Sequence, residues 1–181
     1  MSERQFRVLT AVGQDRPGLV HGISAWIHEA GANLEDSRMA VLGGEFAMIV
    51  LLSGDDEALT RIQIGRGSVS AELGLELSLR ETRAPSSLVT RRYTLRVQGL
   101  DHPGIVDSIT NVLARHSINI AWVQTRVAHQ PLTGTPVFTL ETELQLPPTA
   151  SLEELSRDLT KAAADRQLDF ELEDSPDARG A

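Results

Sequence analysis

Apolar and polar positions in this chain follow two periods, and they run through the same order twice. Phe6 to Val12 is apolar and β-prone and ends at Gly13, which predicts a strand. Leu19, Ile23, Trp26 and Ile27 then recur at i, i+4, i+7 and i+8, the stripe of an amphipathic helix. Gly31 stands where such a helix stops. Asn33 to Leu42 predicts a second strand, Gly43-Gly44 a two-residue hairpin turn, and the nearly all-apolar Glu45 to Leu52 a central strand. Asp55 to about Gly74 is the place for a second helix. Ile64-Gly65-Arg66-Gly67 interrupts it, so a short or broken helix is expected there. Leu75 to Arg80 alternates again and predicts a strand, which completes the order β-α-β-β-α-β.

The second half repeats this order. Tyr93 to Gly99, Ile118 to Val127, Pro136 to Leu146 and Leu168 to Leu172 predict strands, and Pro103 to His116 a helix. Gln130 to Thr135 predicts a longer loop. Ser151 with Glu154 predicts a capping box before a helix lined by Leu152, Leu155 and Leu159. At one constant offset, Asp15-Arg16-Pro17-Gly18-Leu19-Val20 returns as Asp101-His102-Pro103-Gly104-Ile105-Val106. The same offset carries Ile23, Trp26 and Ile27 onto Ile109, Val112 and Leu113, and Asn33-Leu34 onto Asn119-Ile120. Motif, apolar stripe and following Asn-aliphatic pair in one ungapped register mark an internal repeat.

The expected fold is α+β: two ferredoxin-like βαββαβ modules, each an antiparallel sheet with its helices on one face. Module 1 is expected over 1–81, a linker over 82–90, module 2 over 91–173 and a polar tail over 174–181. The second face of each sheet has no helix to cover it. Trp122, Ile120, Phe138 and Leu140 are expected to offer apolar side chains on both faces of the second sheet. That invites pairing of the modules and a homodimer.

Composition narrows the function classes. The chain has 181 residues with a net charge of −8 and a sequence pI of about 5.1. Direct nucleic-acid binding needs clustered positive charge and is not expected. There are no cysteines, which removes disulfides, thiolate nucleophiles and zinc–thiolate sites. His21 and His28 lie seven apart on the first helix without a third ligand, so no metal site is expected. No apolar run is long enough to span a bilayer, and no signal-peptide core opens the chain; a cytoplasmic protein is expected. Gly65-Arg66-Gly67 has no phosphate-loop pattern around it, and no nucleophile elbow surrounds any serine. Glu141 and Glu143 alternate on a strand and read as a polar face. No catalysis and no cofactor are expected.

The two Asp-X-Pro-Gly turns carry the candidate chemistry. The first amides of a helix lack intrahelical partners and form a small anion site. There the Gly18-Leu19 and Gly104-Ile105 amides suit a carboxylate. Asp15 or Asp101 suits an ammonium group, and Asn33 or Asn119 offers a donor and an acceptor. A free α-amino acid asks for these three contacts. Asp before Pro-Gly is equally a helix-start signature with Asp as the cap, and Asn after a helix is a common turn residue. From the residues alone both readings stay open.

With its two motifs and their Asn-aliphatic pairs, the chain resembles the ACT domain family, small ligand-sensing modules of amino-acid metabolism. As a two-module chain of this length it is most similar to the glycine cleavage system transcriptional repressor group. The resemblance implies ligand binding at interfaces between modules, by Asp15, Gly18, Leu19 and Asn33 and by Asp101, Gly104, Ile105 and Asn119. It further implies a non-enzymatic regulator that senses a small amino acid such as glycine or serine and contacts a separate DNA-binding regulator. The alternative is a regulatory subunit of an amino-acid or one-carbon biosynthetic enzyme with no ligand of its own. His102 and Trp122, where the first copy has Arg16 and Asp36, imply that occupancy differs between the copies.

Overall fold

In the computed structural model, residues 4–84, 91–131 and 133–175 are described, in two compact units, Met1–Ser87 and Leu88–Ala181. The first comprises β1 (Gln5–Gln14), α1 (Leu19–Glu29), β2 (Asn33–Leu42), β3 (Glu45–Gly54), α2 (Asp56–Leu73) and β4 (Glu76–Thr82). The second comprises β5 (Arg91–Leu100), α3 (Ile105–Arg115), β6 (Asn119–His129), β7 (Pro136–Leu146), α4 (Leu152–Ala164) and β8 (Leu168–Asp174). Each forms one antiparallel sheet, ordered β2-β3-β1-β4 and β6-β7-β5-β8. This is the expected α+β architecture of two βαββαβ modules. Of the expected linker, Thr82 closes β4 and residues 85–90 lie outside the described residues; of the expected tail, Asp174 ends β8 and 176–181 lie outside them.

Strand alternation decides what each core contains. In the first unit Leu9, Ala11, Phe46, Met48, Val50, Leu52 and Leu77 point to one side and pack with Leu19, Ile23 and Ile27 of α1 and Ile62 of α2. In the second, Tyr93, Leu95, Val97, Phe138, Leu140 and Leu144 pack with Ile105, Ile109, Val112 and Leu113 of α3 and Leu155 and Leu159 of α4. β2 and β6 are edge strands, exposed over nearly their whole length.

Three expectations are corrected. Helix α2 is continuous and is the longest helix described, 18 residues. Asp55 caps it by accepting from the Ala58 amide at 2.8 Å, and Gly74 ends it in the left-handed region (φ 66°). Gly65 does not break it: a Cβ there would lie 3.0 Å from Nε1 of Trp26, so this glycine lets α2 approach the ring. Second, Phe138, Leu140 and Ile120 do not spread over both faces of the second sheet. All three face the helices, and the opposite face carries Arg92, Arg96, Glu141 and Glu143, joined by ion pairs. Only Trp122 of the four lies on that face, in register with Glu143. Third, Asp15 and Asp101 cap nothing. The N-cap positions of α1 and α3 are Gly18 and Gly104, neither helix has a side-chain cap, and Pro17 and Pro103 precede the first turn instead of entering it. No helix among the described residues is long and apolar enough to cross a membrane.

Candidate functional site

The turn between β1 and α1 is held by backbone. The Asp15 amide donates to Gly44 O of the β2–β3 hairpin at 2.9 Å, and in the second unit the Asp101 amide donates to Pro136 O at 3.1 Å. Gly18 (φ 96°) and Gly104 (φ 89°) adopt positive φ, which costs glycine least. The first intrahelical bonds run from Gly22 N to Gly18 O and from Ser108 N to Gly104 O. The amides of residues 19–21 and 105–107 therefore have no helical acceptor, and no side chain caps them. Leu19 and Ile105 anchor the turns through buried side chains, whereas Asp15, Gly18, Asp101 and Gly104 are exposed. Each turn thus presents N–H groups without a partner among the described residues at the positive end of a helix, shortly after an exposed Asp.

The two turns differ in what lies over them. Arg16 reaches away, donating to Leu73 O at 3.0 Å and Glu72 O at 3.3 Å at the end of α2. A Cβ on Gly18 would meet nothing within 4 Å. His102, at the same motif position, meets Arg166 O through Nε2 at 3.1 Å. Arg166 reaches back, donating from Nη1 to Pro103 O at 3.0 Å, with that Nη1 2.9 Å from where a Gly104 Cβ would sit. A guanidinium therefore covers the second turn, and among the described residues none covers the first. Sequence reasoning found His102 but missed Arg166. By sheet register its counterpart in the first unit is Leu73, so the repeat itself contains no signal for it.

Asn33 and Asn119 are not beside these turns within their own units. Asn33 pairs with Ser53, which faces Phe6 near the start of β1, whereas Gln14 pairs with Glu45 at the other end. Eight residues of β3 separate the two levels, about 27 Å at ~3.4 Å per residue. Asn119 likewise pairs with Gln145, at the far end of β7 from Pro136. Both amides already donate once: Asn33 Nδ2 to Glu35 Oε1 at 2.8 Å and Asn119 Nδ2 to Gln145 Oε1 at 2.8 Å. Around Asn33 a polar cluster closes the sheet end. Arg4 Nε donates to Ser53 Oγ at 2.8 Å, Ser53 donates to Glu35, and Arg4 pairs with Glu35. The Ser53 hydroxyl and the Asn33 amide, followed by the Arg4 charge, hold the Glu35 carboxyl below its ordinary range.

No group of three or more His, Cys, Asp or Glu suited to a metal ion occurs among the described residues. A shallow cleft of about 470 Å³ between α3 and the start of β6 is lined by Asp107, Asn111, Leu113, Ile118 and Asn119, among others. It runs along α3 from Asp107, in the first turn of that helix, to Asn119.

The ACT domain model matches residues 5–80. The chain is 36% identical over 127 residues to the glycine cleavage system transcriptional repressor of Escherichia coli K12, covering 70% of this chain and 67% of that one. A crystal structure of an unknown protein from Galdieria sulphuraria is 33% identical with a TM-score of 0.80, covering 96% of this chain and all of that one. A crystal structure of a candidate glycine cleavage system transcriptional repressor is similar in fold, at 22% identity and a TM-score of 0.72, over 97% of this chain and all of that one. Two ACT-type sheets, an ACT match and a repressor relative aligned across most of the chain agree: this protein belongs to the ACT-domain regulators of the glycine cleavage system transcriptional repressor family.

Proposed function

We propose that this protein is a non-enzymatic regulator that binds a small amino acid at its Asp-X-Pro-Gly turns and controls a DNA-binding partner by direct contact. The observation that carries the reading is the start of α1: among the described residues its first amides have no side-chain cap and nothing lies within 4 Å of a Gly18 Cβ, three residues after the exposed Asp15. The amides of Leu19 and Val20 receive the ligand carboxylate and Asp15 its ammonium group. In the second unit Ile105, Gly104 and Asp101 offer the same groups beneath Arg166.

Asn33 and Asn119 stand about 27 Å from the turn of their own unit, so neither completes the turn site of its own unit. Regulatory coupling then requires that the ligand bind one conformation of the protein more tightly than another. The net charge of −8 suits contact with a protein partner rather than with a nucleic-acid backbone. The expected ligand is small and neutral overall, glycine or serine, in keeping with the relative named a glycine cleavage system transcriptional repressor.

Calorimetric titration with glycine, serine and a branched-chain amino acid tests this. Heat with glycine or serine, lost in Asp15→Asn, is expected. No heat with any of them at millimolar concentration overturns the sensing role. Co-purification of a biosynthetic enzyme in place of a DNA-binding regulator overturns the assigned partner.

A further inference from the structure

The second residue of each motif makes the same bond in both units. Arg16 Nη2 donates to Leu73 O at 3.0 Å, and His102 Nε2 donates to Arg166 O at 3.1 Å. Leu73 and Arg166 are counterparts by sheet register, so each motif is tied to the same backbone position at the end of its unit's second helix. The side chains at that position part ways. Leu73 packs into the first core and over α1, where a Cβ on Gly22 would lie 2.7 Å from Leu73 Cδ2. The glycine makes that approach possible. Its repeat counterpart is Ser108, which brings the Cβ that closes this route. Arg166 lies over Gly104 instead. A Cβ on Gly104 would be 2.9 Å from Nη1, 3.3 Å from Nη2 and 3.5 Å from Cζ, whereas one on Gly18 would meet nothing within 4 Å.

We propose that Arg166 is a built-in plug of the second turn: the first turn takes ligand, and the second stays closed until the guanidinium swings out. This rests on the amino-acid reading above and assigns the regulation of that same site. Size carries it. A ligand whose carboxylate bonds the Ile105 and Val106 amides and whose ammonium reaches back to Asp101 has to span Gly104. The guanidinium already fills that space so closely that a methyl carbon on Gly104 would displace it. Charge acts in the same direction, since the guanidinium stands where the ligand's ammonium would pass and like charges repel. The plug is held at two points. His102 fixes the Arg166 backbone, and Arg166 Nη1 donates to Pro103 O at 3.0 Å. Opening therefore breaks one charge-assisted hydrogen bond and moves one side chain, while the tie between motif and helix end stays in place.

Calorimetric titration of the full chain with glycine, read as the number of sites, tests the plug. The wild type is expected to bind one glycine per chain, lost in Asp15→Asn and kept in Asp101→Asn. Arg166→Ala, which keeps the backbone bond to His102 and is checked for folding by circular dichroism, is expected to bind two. In that variant Asp15→Asn is expected to leave one site, which the further change Asp101→Asn removes. A gain of a site separates a plug from a merely structural arginine, whose loss adds none. Two equal sites in the wild type, or a folded Arg166→Ala chain that still binds one, overturns the plug and leaves the amino-acid reading standing. So does weaker binding in Arg166→Ala, which would mean that the guanidinium recruits the ligand. No heat in wild type and Arg166→Ala alike overturns both.

Discussion

Glu35 gathers three contacts that its place in the sequence does not announce. A register shift between Leu34 and Asp36 interrupts the alternation of β2, and Glu35 turns onto Ser53, Asn33 and Arg4. Its carboxyl is held below the ordinary value of 4.5, first by the Ser53 hydroxyl and then by the Asn33 amide. A carboxyl depressed on folding contributes stability that is present above its unfolded value and is lost as pH falls through its folded one. Glu35→Gln is therefore expected to lower the urea midpoint at pH 7. The gap between variant and wild type is expected to close as pH falls below about 4.5, the unperturbed value. A gap that stays constant down to pH 2.5 contradicts the assignment. Asn33 itself was legible as a polar group opening β2, whereas its distance from the turn was not. Sequence proximity in a motif says nothing about which end of a sheet a strand begins at. That depends on β3 running antiparallel to both β1 and β2.

At the scale of elements, most of the chain was readable because each strand and helix signals its own period. α2 is the exception. Its apolar pattern is thin, with only Ala58, Leu59 and Ile62 buried, and two glycines interrupt it. A helix cap and a helix stop at its ends, together with packing against the sheet, outweigh a propensity cost of about 1 kcal/mol per glycine. The two glycines are expected to behave differently. At Gly67 an added Cβ meets nothing within 4 Å, so Gly67→Ala is expected to stabilise the first unit by about 0.5–1 kcal/mol. At Gly65 the Cβ approaches Trp26 at 3.0 Å, and the gain is expected to shrink or reverse. Paired urea melts of the two variants measure the difference; equal gains would mean that Trp26 moves aside at no cost.

For the whole molecule, the two cores share no residue. Ile23 and Ile109, repeat counterparts, are both fully buried. Truncation to alanine is expected to cost about 2–5 kcal/mol at each. Because the sites have no common neighbours, the losses are expected to add in the double variant. Denaturant unfolding of the two single variants and the double variant checks this, and a double loss well below the sum would reveal coupling between the cores. The duplicated cores also explain why the repeat is so visible: both copies must fill the same space between a sheet and two helices, so the same positions stay apolar. No such constraint acts on the open faces, and there the copies have diverged, apolar in the first and ion-paired in the second.

By itself the sequence determined the element order, the duplication and the two glycine turns, because periodicity, turn chemistry and a buried stripe are local properties of the chain. Tertiary structure alone decided which side chains share a sheet face, that Arg166 covers one turn while no described residue covers the other, and that each asparagine stands at the far end of the sheet from its turn. Those facts depend on strand register and on residues distant in sequence, and neither leaves a local trace.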